Sequence, residues 1–258
     1  MRRRLSLLAL LGVLSLVAGG APAYAVPRVT PLPVGTDVDY QLGGAAAVPA
    51  HVGIVVRDRG ERPLRGTYGV CYGNAFQTQP DERAFWRAHP RLVLRKGGRP
   101  VVDSAWGEQL LDLRTRAKRA ALARIVGSWL HGCARAGYAA AELDNLDSFT
   151  RSRGLLTSRQ AVAYARLLVA RAHAEGLAVG QKNWATWDGR TVGFDFAVAE
   201  ECGRYRECDD YVRHYGRRVL AVEYRATDFD WTCAHFGPAL AVELRDLELT
   251  PGGVRRWC

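Results

Sequence analysis

Lysine is scarce in this chain. Lys96, Lys118 and Lys182 are its only three lysines among 36 cationic residues, so arginine carries almost all of the formal net charge of +10 over 258 residues. The arginines are spread over helical and loop segments without forming one run. No nucleic-acid module motif accompanies them, and nucleic acid is not an expected partner. Beyond the N-terminal segment no apolar run approaches the ~20 residues needed to span a bilayer, which excludes a polytopic membrane protein. There is no CxxC pair, Walker loop or GxSxG. The six histidines (His51, His89, His131, His173, His214 and His235) fall in helical or loop segments away from strand ends. A histidine metal centre or Ser-His-Asp triad is therefore poorly supported, and neither a metal nor a cofactor is expected. With 48% hydrophobic residues, the chain also lacks the composition of a disordered one.

Residues 1–25 read as a secretory signal. Arg2, Arg3 and Arg4 precede the apolar stretch Leu5 to Ala18, and Ala23-Tyr24-Ala25 is a small-x-small cleavage site. Residues 26–37 form a proline-rich exposed leader, and 38–258 a single domain, expected to act as a secreted monomer. Six cysteines behind a signal favour disulfides. Cys202 and Cys208 can close a short loop, Cys233 and Cys258 can tie down the tail, and Cys71 with Cys133 remains by elimination.

Short apolar, β-branched runs occur at 38–42, 52–57, 68–72, 138–143, 178–182, 196–200, 219–223 and 239–243. Between several of them lie amphipathic helical patterns, notably 114–136 and 158–175. Eight candidate strands separated by helices predict a parallel sheet closed as a (β/α)8 TIM barrel, with irregular insertions near 75–112 and 225–237. A doubly wound open sheet is the alternative, but the glycine-rich phosphate turn expected after its first strand is missing.

Most of these runs end in polar residues, which a barrel gathers on its catalytic face. In Ala139-Ala140-Ala141-Glu142-Leu143-Asp144-Asn145, side-chain alternation places Glu142 and Asp144 on one side of the strand and Leu143 on the other. A salt-bridged structural pair is the competing reading. The stretch Ala197 to Cys202 repeats the design; Glu200 and Glu201 cannot both face inward, and Glu200 is favoured. Val219 to Tyr224 is a third instance. Crowded carboxylates of unequal pKa are what glycoside cleavage requires. Tyr40, Tyr72, Trp184, Trp187 and Tyr224 are candidates to stack on sugar rings, although core packing explains about half of them equally well.

Taken together, these strand ends resemble the endo-α-1,4-polygalactosaminidase family, glycoside hydrolase family 114. The matching pieces are Tyr40-Gln41-Leu42, Cys71-Tyr72, Leu111-Asp112-Leu113-Arg114, Glu142-x-Asp144-Asn145-x-Asp147, Gly176-Leu177 leading to Lys182-Asn183, Glu200-x-Cys202 with Glu207-Cys208, and Glu223-Tyr224. The resemblance implies a secreted barrel that cleaves α-1,4-linked galactosamine polysaccharide in endo fashion by a retaining mechanism. It implies Asp144 as nucleophile and Glu200 as acid/base. Expected substrate-binding residues are Gln41, Tyr72, Asn74, Glu142, Asn145, Asp147, Lys182, Asn183, Glu223 and Tyr224. Leu143 stands where the family often has proline, and Gly73 to Gln79 replaces a serine/glycine-rich stretch. A cationic amino-sugar polymer would be drawn to an acidic crevice formed by Glu142, Asp147 and Glu223, so the barrel mouth is expected to be locally negative although the protein is basic. A carbohydrate-binding barrel without turnover and a metal-dependent deacetylase or phosphodiesterase are the other functions considered.

Overall fold

A computed structural model describes residues 27–258; the expected signal at 1–25 lies outside the described residues. Eight parallel strands follow one another in hydrogen-bonded order: β1 (Asp37–Gln41), β2 (Val52–Asp58), β3 (Tyr68–Asn74), β4 (Ala140–Asp144), β5 (Ala178–Lys182), β6 (Phe196–Glu200), β7 (Val219–Glu223) and β8 (Ala241–Arg245). A ninth strand, β9 (Arg255–Trp257), runs antiparallel along β8. The expected strands are all present, with ends displaced by no more than two residues.

Alternation along the strands divides the core in two. Val38, Tyr40, Ile54, Val56, Val70, Ala140, Phe196, Val198, Leu220 and Val222 fill the barrel interior. Ala141, Leu143, Val179 and Ala197 face outward and pack with helical Leu122, Val126, Tyr164 and Leu168. Leu143 thus points away from Glu142 and Asp144, as a pleated strand requires. Gly180 makes room for the interior: a Cβ there would lie 2.6 Å from the Phe196 ring.

The helices are α1 (Arg83–Ala88), α2 (Arg116–Ala136), α3 (Ser158–Ala174), α4 (Cys202–Tyr205), α5 (Cys208–Tyr215) and α6 (Ala226–Phe236). Thr115 caps α2, and Thr157 with Gln160 forms a reciprocal capping box on α3. The barrel departs from strict strand–helix alternation. No helix connects β1 to β2 or β2 to β3, and β5 to β6 has only a 3-10 turn at Gly189–Val192. The first two connections contain Gly43, Gly44 and Pro49, then Gly60, Pro63 and Gly66, residues that break helices. Conversely, 225–237 is not an irregular insertion. It forms α6, whose Phe229 and Thr232 are buried one turn apart beside β7 and β8. The 75–112 insertion carries α1 and two short hairpins, Arg95–Lys96 with Arg99–Pro100 and Val102–Asp103 with Glu108–Gln109.

Between β8 and β1 there is no backbone ladder. The seam is closed by side chains: Glu243 Oε2 accepts the Tyr40 N–H at 2.8 Å, and Trp257 Nε1 donates to the Val38 carbonyl at 2.6 Å. Disulfides link Cys71 to Cys133, Cys202 to Cys208 and Cys233 to Cys258. The leader is less free than its composition suggests, because Leu32 is buried against the barrel and the Thr30 carbonyl accepts from the Tyr68 hydroxyl at 2.7 Å.

Candidate active site

Parallel register brings the ends of β3, β4, β5 and β6 to one level: Tyr72 lies opposite Glu142, Asn74 opposite Asp144, and Val198 opposite Lys182. Lys182 is the hub. Its Nζ lies 2.9 Å from Glu142 Oε1, 3.3 Å from Asp144 Oδ1 and 3.3 Å from Glu200 Oε2. It also donates to the Tyr40 hydroxyl at 3.0 Å, and that hydroxyl donates to Glu142 at 2.6 Å. Since one ammonium touches both, the nearer oxygens of Asp144 and Glu200 can be no more than about 6.6 Å apart.

Each of those two carboxylates has its own phenol. Tyr72 donates to Asp144 Oδ2 at 2.7 Å, and the Tyr224 hydroxyl makes a very short contact with Glu200 Oε1. The Asn145 N–H donates to Asp144 Oδ1 at 2.6 Å, and Asn183 spans Glu200 through its side chain, accepting from the Glu200 N–H at 2.9 Å. Burial, reinforced by the adjacent carboxylates, holds Tyr40, Tyr72 and Tyr224 well above the ordinary phenol value, so all three serve as neutral donors. Burial pushes Glu142 up to about 7, against the pull of Lys182. Burial opposes the charge on Lys182, yet Asp144, Glu142 and Glu200 hold it well above the usual lysine value, so it remains an ammonium.

Backbone strain gathers where these strands end. Asn145, Asn183, Trp184 and Glu201 adopt left-handed φ between 52° and 62° immediately after β4, β5 and β6. Asparagine tolerates that region, whereas tryptophan and glutamate do so only when their surroundings impose it. The turn at Glu201 separates the adjacent acids: Glu200 stays at the cleft, and Glu201 pairs with Arg204 at 2.6 Å.

A cavity of about 370 Å³ opens above Lys182, lined by Tyr72, Asp144, Asn145, Asp147, Asn183, Glu200 and Tyr224. Asp103, Trp106 and Glu108 from the insertion and Glu248 from the segment after β8 complete its walls. Its six lining carboxylates face two cations, Lys182 and Arg151, and Arg151 is already paired with Asp103 and Asp147. The mouth is negative on a protein that is positive overall. A second cavity of about 460 Å³ adjoins it, sharing Trp106, Asp147, Asn183, Glu200 and Tyr224. Glu200 therefore stands within a continuous groove, with the exposed rings of Trp106 and Tyr205 along it.

Other expected residues lie elsewhere. Glu142 sits beneath Lys182, behind the cavity wall. Gln41 is buried and binds the Ala46 backbone and Arg57 Nε. Asn74, also buried, donates to Glu108 at 2.8 Å and accepts from Asn145 at 3.1 Å. Glu223 turns away from the groove to accept the Gly203 N–H at 2.6 Å and the Thr232 hydroxyl at 3.1 Å. Cys202, Cys208 and Glu223 converge closely enough to suggest a metal site, but both sulfurs are engaged in one disulfide. Tyr40 is enclosed inside the barrel and Trp184 stacks on Trp187 at 4.7 Å, so neither Tyr40 nor the pair's shared face is open to a sugar. Sequence reading missed Glu108, Asp103 and Trp106, since two-residue strands in an insertion produce no periodic signal.

In comparisons with solved structures, the fold overlays Ega3 of Aspergillus fumigatus in complex with galactosamine. The TM-score is 0.71 at 20% identity, covering 93% of this chain and 100% of that one. It also overlays the glycoside hydrolase domain of PelA from Pseudomonas aeruginosa, with TM-score 0.56 at 18% identity, covering 84% and 97% respectively. No curated protein sequence matches significantly. The family model described as glycoside-hydrolase family GH114 matches residues 20–258, nearly the whole chain, and so this protein belongs to glycoside hydrolase family GH114.

Proposed function

We propose that this glycosidase cleaves a galactosamine-containing, α-1,4-linked polysaccharide internally, with Asp144 as nucleophile and Glu200 as acid/base. The observation that carries the reading is the pair of opposed carboxylates bridged by Lys182 in an acid-lined groove. A retaining reaction places its carboxyl groups about 5–5.5 Å apart, an inverting one roughly 6.5–9.5 Å. The bound of about 6.6 Å between the nearer oxygens of Asp144 and Glu200 is compatible with the retaining spacing. In the first half-reaction Glu200 gives its proton to the leaving oxygen while Asp144 attacks the anomeric carbon. In the second, Glu200 takes a proton from the water that releases the sugar from Asp144. Tyr72 and the Asn145 N–H fix the attacking carboxylate, Tyr224 and Asn183 orient the acid, and Lys182 holds both in register.

Substrate charge suits the groove: protonated amino groups meet the carboxylates of Asp147, Glu108 and Glu248, and Trp106 offers a stacking face. Continuation of the groove on both sides of Glu200 favours internal cleavage. Three disulfides suit an oxidising, extracellular setting, and no described helix is long and apolar enough to cross a membrane. The test is incubation with a soluble, partly N-acetylated α-1,4-galactosamine polymer, following product lengths by mass spectrometry and the first anomer by NMR. Intermediate oligomers with α-configured new ends are expected. Inverted β ends would overturn the role of Asp144, and cleavage of only the fully N-acetylated polymer would overturn the amino-sugar reading.

A further inference from the structure

The insertion between β3 and α2 has two faces of opposite charge. Asp103 and Glu108 point into the catalytic groove, whereas the outer face presents arginine. Arg83, Arg87, Arg91 and Arg95 recur every four residues, and all four are exposed. Folding of the segment brings Arg114 and Lys118, from just before and inside α2, against them. Two adjoining cavities, of about 420 and 310 Å³, share Pro90, Val93 and Arg95, and these six cations line them between them. The single acid in their walls, Asp112, is already bound by both Arg114 and Lys118. Arg83, Arg87 and Arg91 make no ion pair or side-chain hydrogen bond among the described residues. Separation along the chain disguised this as scattered arginine; in three dimensions it is one cationic surface. Arg83 and Arg87, four residues apart on α1, repel one another, so that helix gains nothing from the pair.

We infer that this face is a second glycan-binding site, remote from hydrolysis, that takes an acidic polysaccharide bearing one carboxylate per sugar. Guanidinium forks match carboxylates in two-point geometry. Both cavities fall in the range of small-ligand sites, about 300–1,000 Å³, and their sharing of Arg95 makes a continuous track for neighbouring rings. A polycationic substrate attracts polyanions by charge, so a surface that holds a polyanion would concentrate the enzyme where the two are paired. This choice of partner among polyanions rests on the amino-sugar reading of the groove, but the surface itself does not. Single-stranded nucleic acid is disfavoured because such binding uses exposed aromatic platforms, and Phe85, the patch's exposed ring, is stacked on His89 at 4.4 Å.

The test is retention of the whole protein on immobilised polygalacturonate, against neutral dextran, over a series of salt concentrations. Wild type should bind and elute with salt, and the triple variant R83S/R87S/R91S should bind about tenfold more weakly with a flatter salt dependence. Circular dichroism and the thermal midpoint verify that the variant is folded; all three side chains are exposed and unpaired. Its hydrolysis of short soluble galactosamine oligomers should equal that of wild type. Unchanged retention of the triple variant overturns the inference, as does tighter competition by duplex DNA than by polygalacturonate. Because retention is read without turnover, failure of this site and failure of the amino-sugar reading give separate results.

Discussion

On the β4–β6 side of the barrel, Lys182 stands among Glu142, Asp144 and Glu200 at 2.9 to 3.3 Å. On the β8–β1 side, Arg245 lies 3.5 Å from Asp39 and 3.9 Å from Glu243. Both clusters set a buried cation among strand-borne acids, although in the second Asp39 also accepts from the part-exposed Arg255 at 2.9 Å, and both help to join neighbouring strands. They differ at the rim. Asp144 and Glu200 keep 17% and 25% of their side-chain surface exposed, whereas Asp39 and Glu243 keep none. Left-handed turns after β4, β5 and β6 carry the chain away from the first cluster, while β9 and Trp257 cover the second. An acid carried on a strand can meet a substrate only where the chain beyond it leaves it uncovered.

The largest effect should follow Asp144→Asn, which keeps the shape and removes the charge of the proposed nucleophile. A fall in kcat of about 10³-fold or more is expected, with KM little changed; measurable turnover near the wild-type rate would remove the distinction drawn above. Lys182→Met should come next and act on two quantities. Removing the cation strands Glu142 and separates Asp144 from Glu200, so we expect a kcat loss of about 10²-fold together with a stability loss of about 3 kcal/mol. Arg245→Met makes the equivalent change at the closed cluster. Its stability loss should be of the same order, roughly 3 kcal/mol, with kcat unchanged. Chemical denaturation and steady-state kinetics on both variants separate the two clusters; a matching kcat loss in Arg245→Met would show them to be one coupled unit.

Strand positions could be read along the chain because apolar runs and helical spacing are local signals, and each parallel strand is buried on both faces. Asp144, Glu200, Lys182, Tyr72 and Tyr224 follow from the same signal, since each sits at the end of a run or one residue beyond it. The direction a strand-end acid takes is not local. Glu200 and Glu223 both close an apolar five-residue strand, yet Glu223 turns to Gly203 and Thr232, partners supplied by α4 and α6. Glu223→Gln should therefore cost about 1 kcal/mol of stability and leave KM alone. A raised KM would return Glu223 to the groove. Glu108 was hidden for a different reason: it is delivered by a hairpin with two residues per strand, held by Asn74 and Asn145.

Glu108 gives the smallest effect and probes how a groove acid behaves with no ion-pair contact among the described residues, the nearby Arg151 being engaged by Asp103 and Asp147. Burial pushes its carboxyl up to about 7, with Asp144 adding to the rise and the Asn74 donor opposing it. Below that pH it is neutral and offers little to an ammonium; above, it is an anion in the groove wall. Wild-type KM for a galactosamine oligomer should thus fall a few-fold between about pH 6 and 8. The substrate's own amine titrates as well, so the informative quantity is the difference between wild type and Glu108→Gln, whose profile should lack Glu108's share of the fall. Stability runs the other way. The folded form keeps its proton above the ordinary value of 4.5, so relative stability falls as pH rises from about 4.5 to 7 and is level beyond. Glu142 adds a parallel slope, because it too is pushed up to about 7. Glu108→Gln should retain the Glu142 portion and lose only its own, a small change because Glu108 is half-buried and partly screened by water. Identical KM profiles for wild type and variant would place Glu108 with Glu223, among acids that hold the wall rather than meet the substrate.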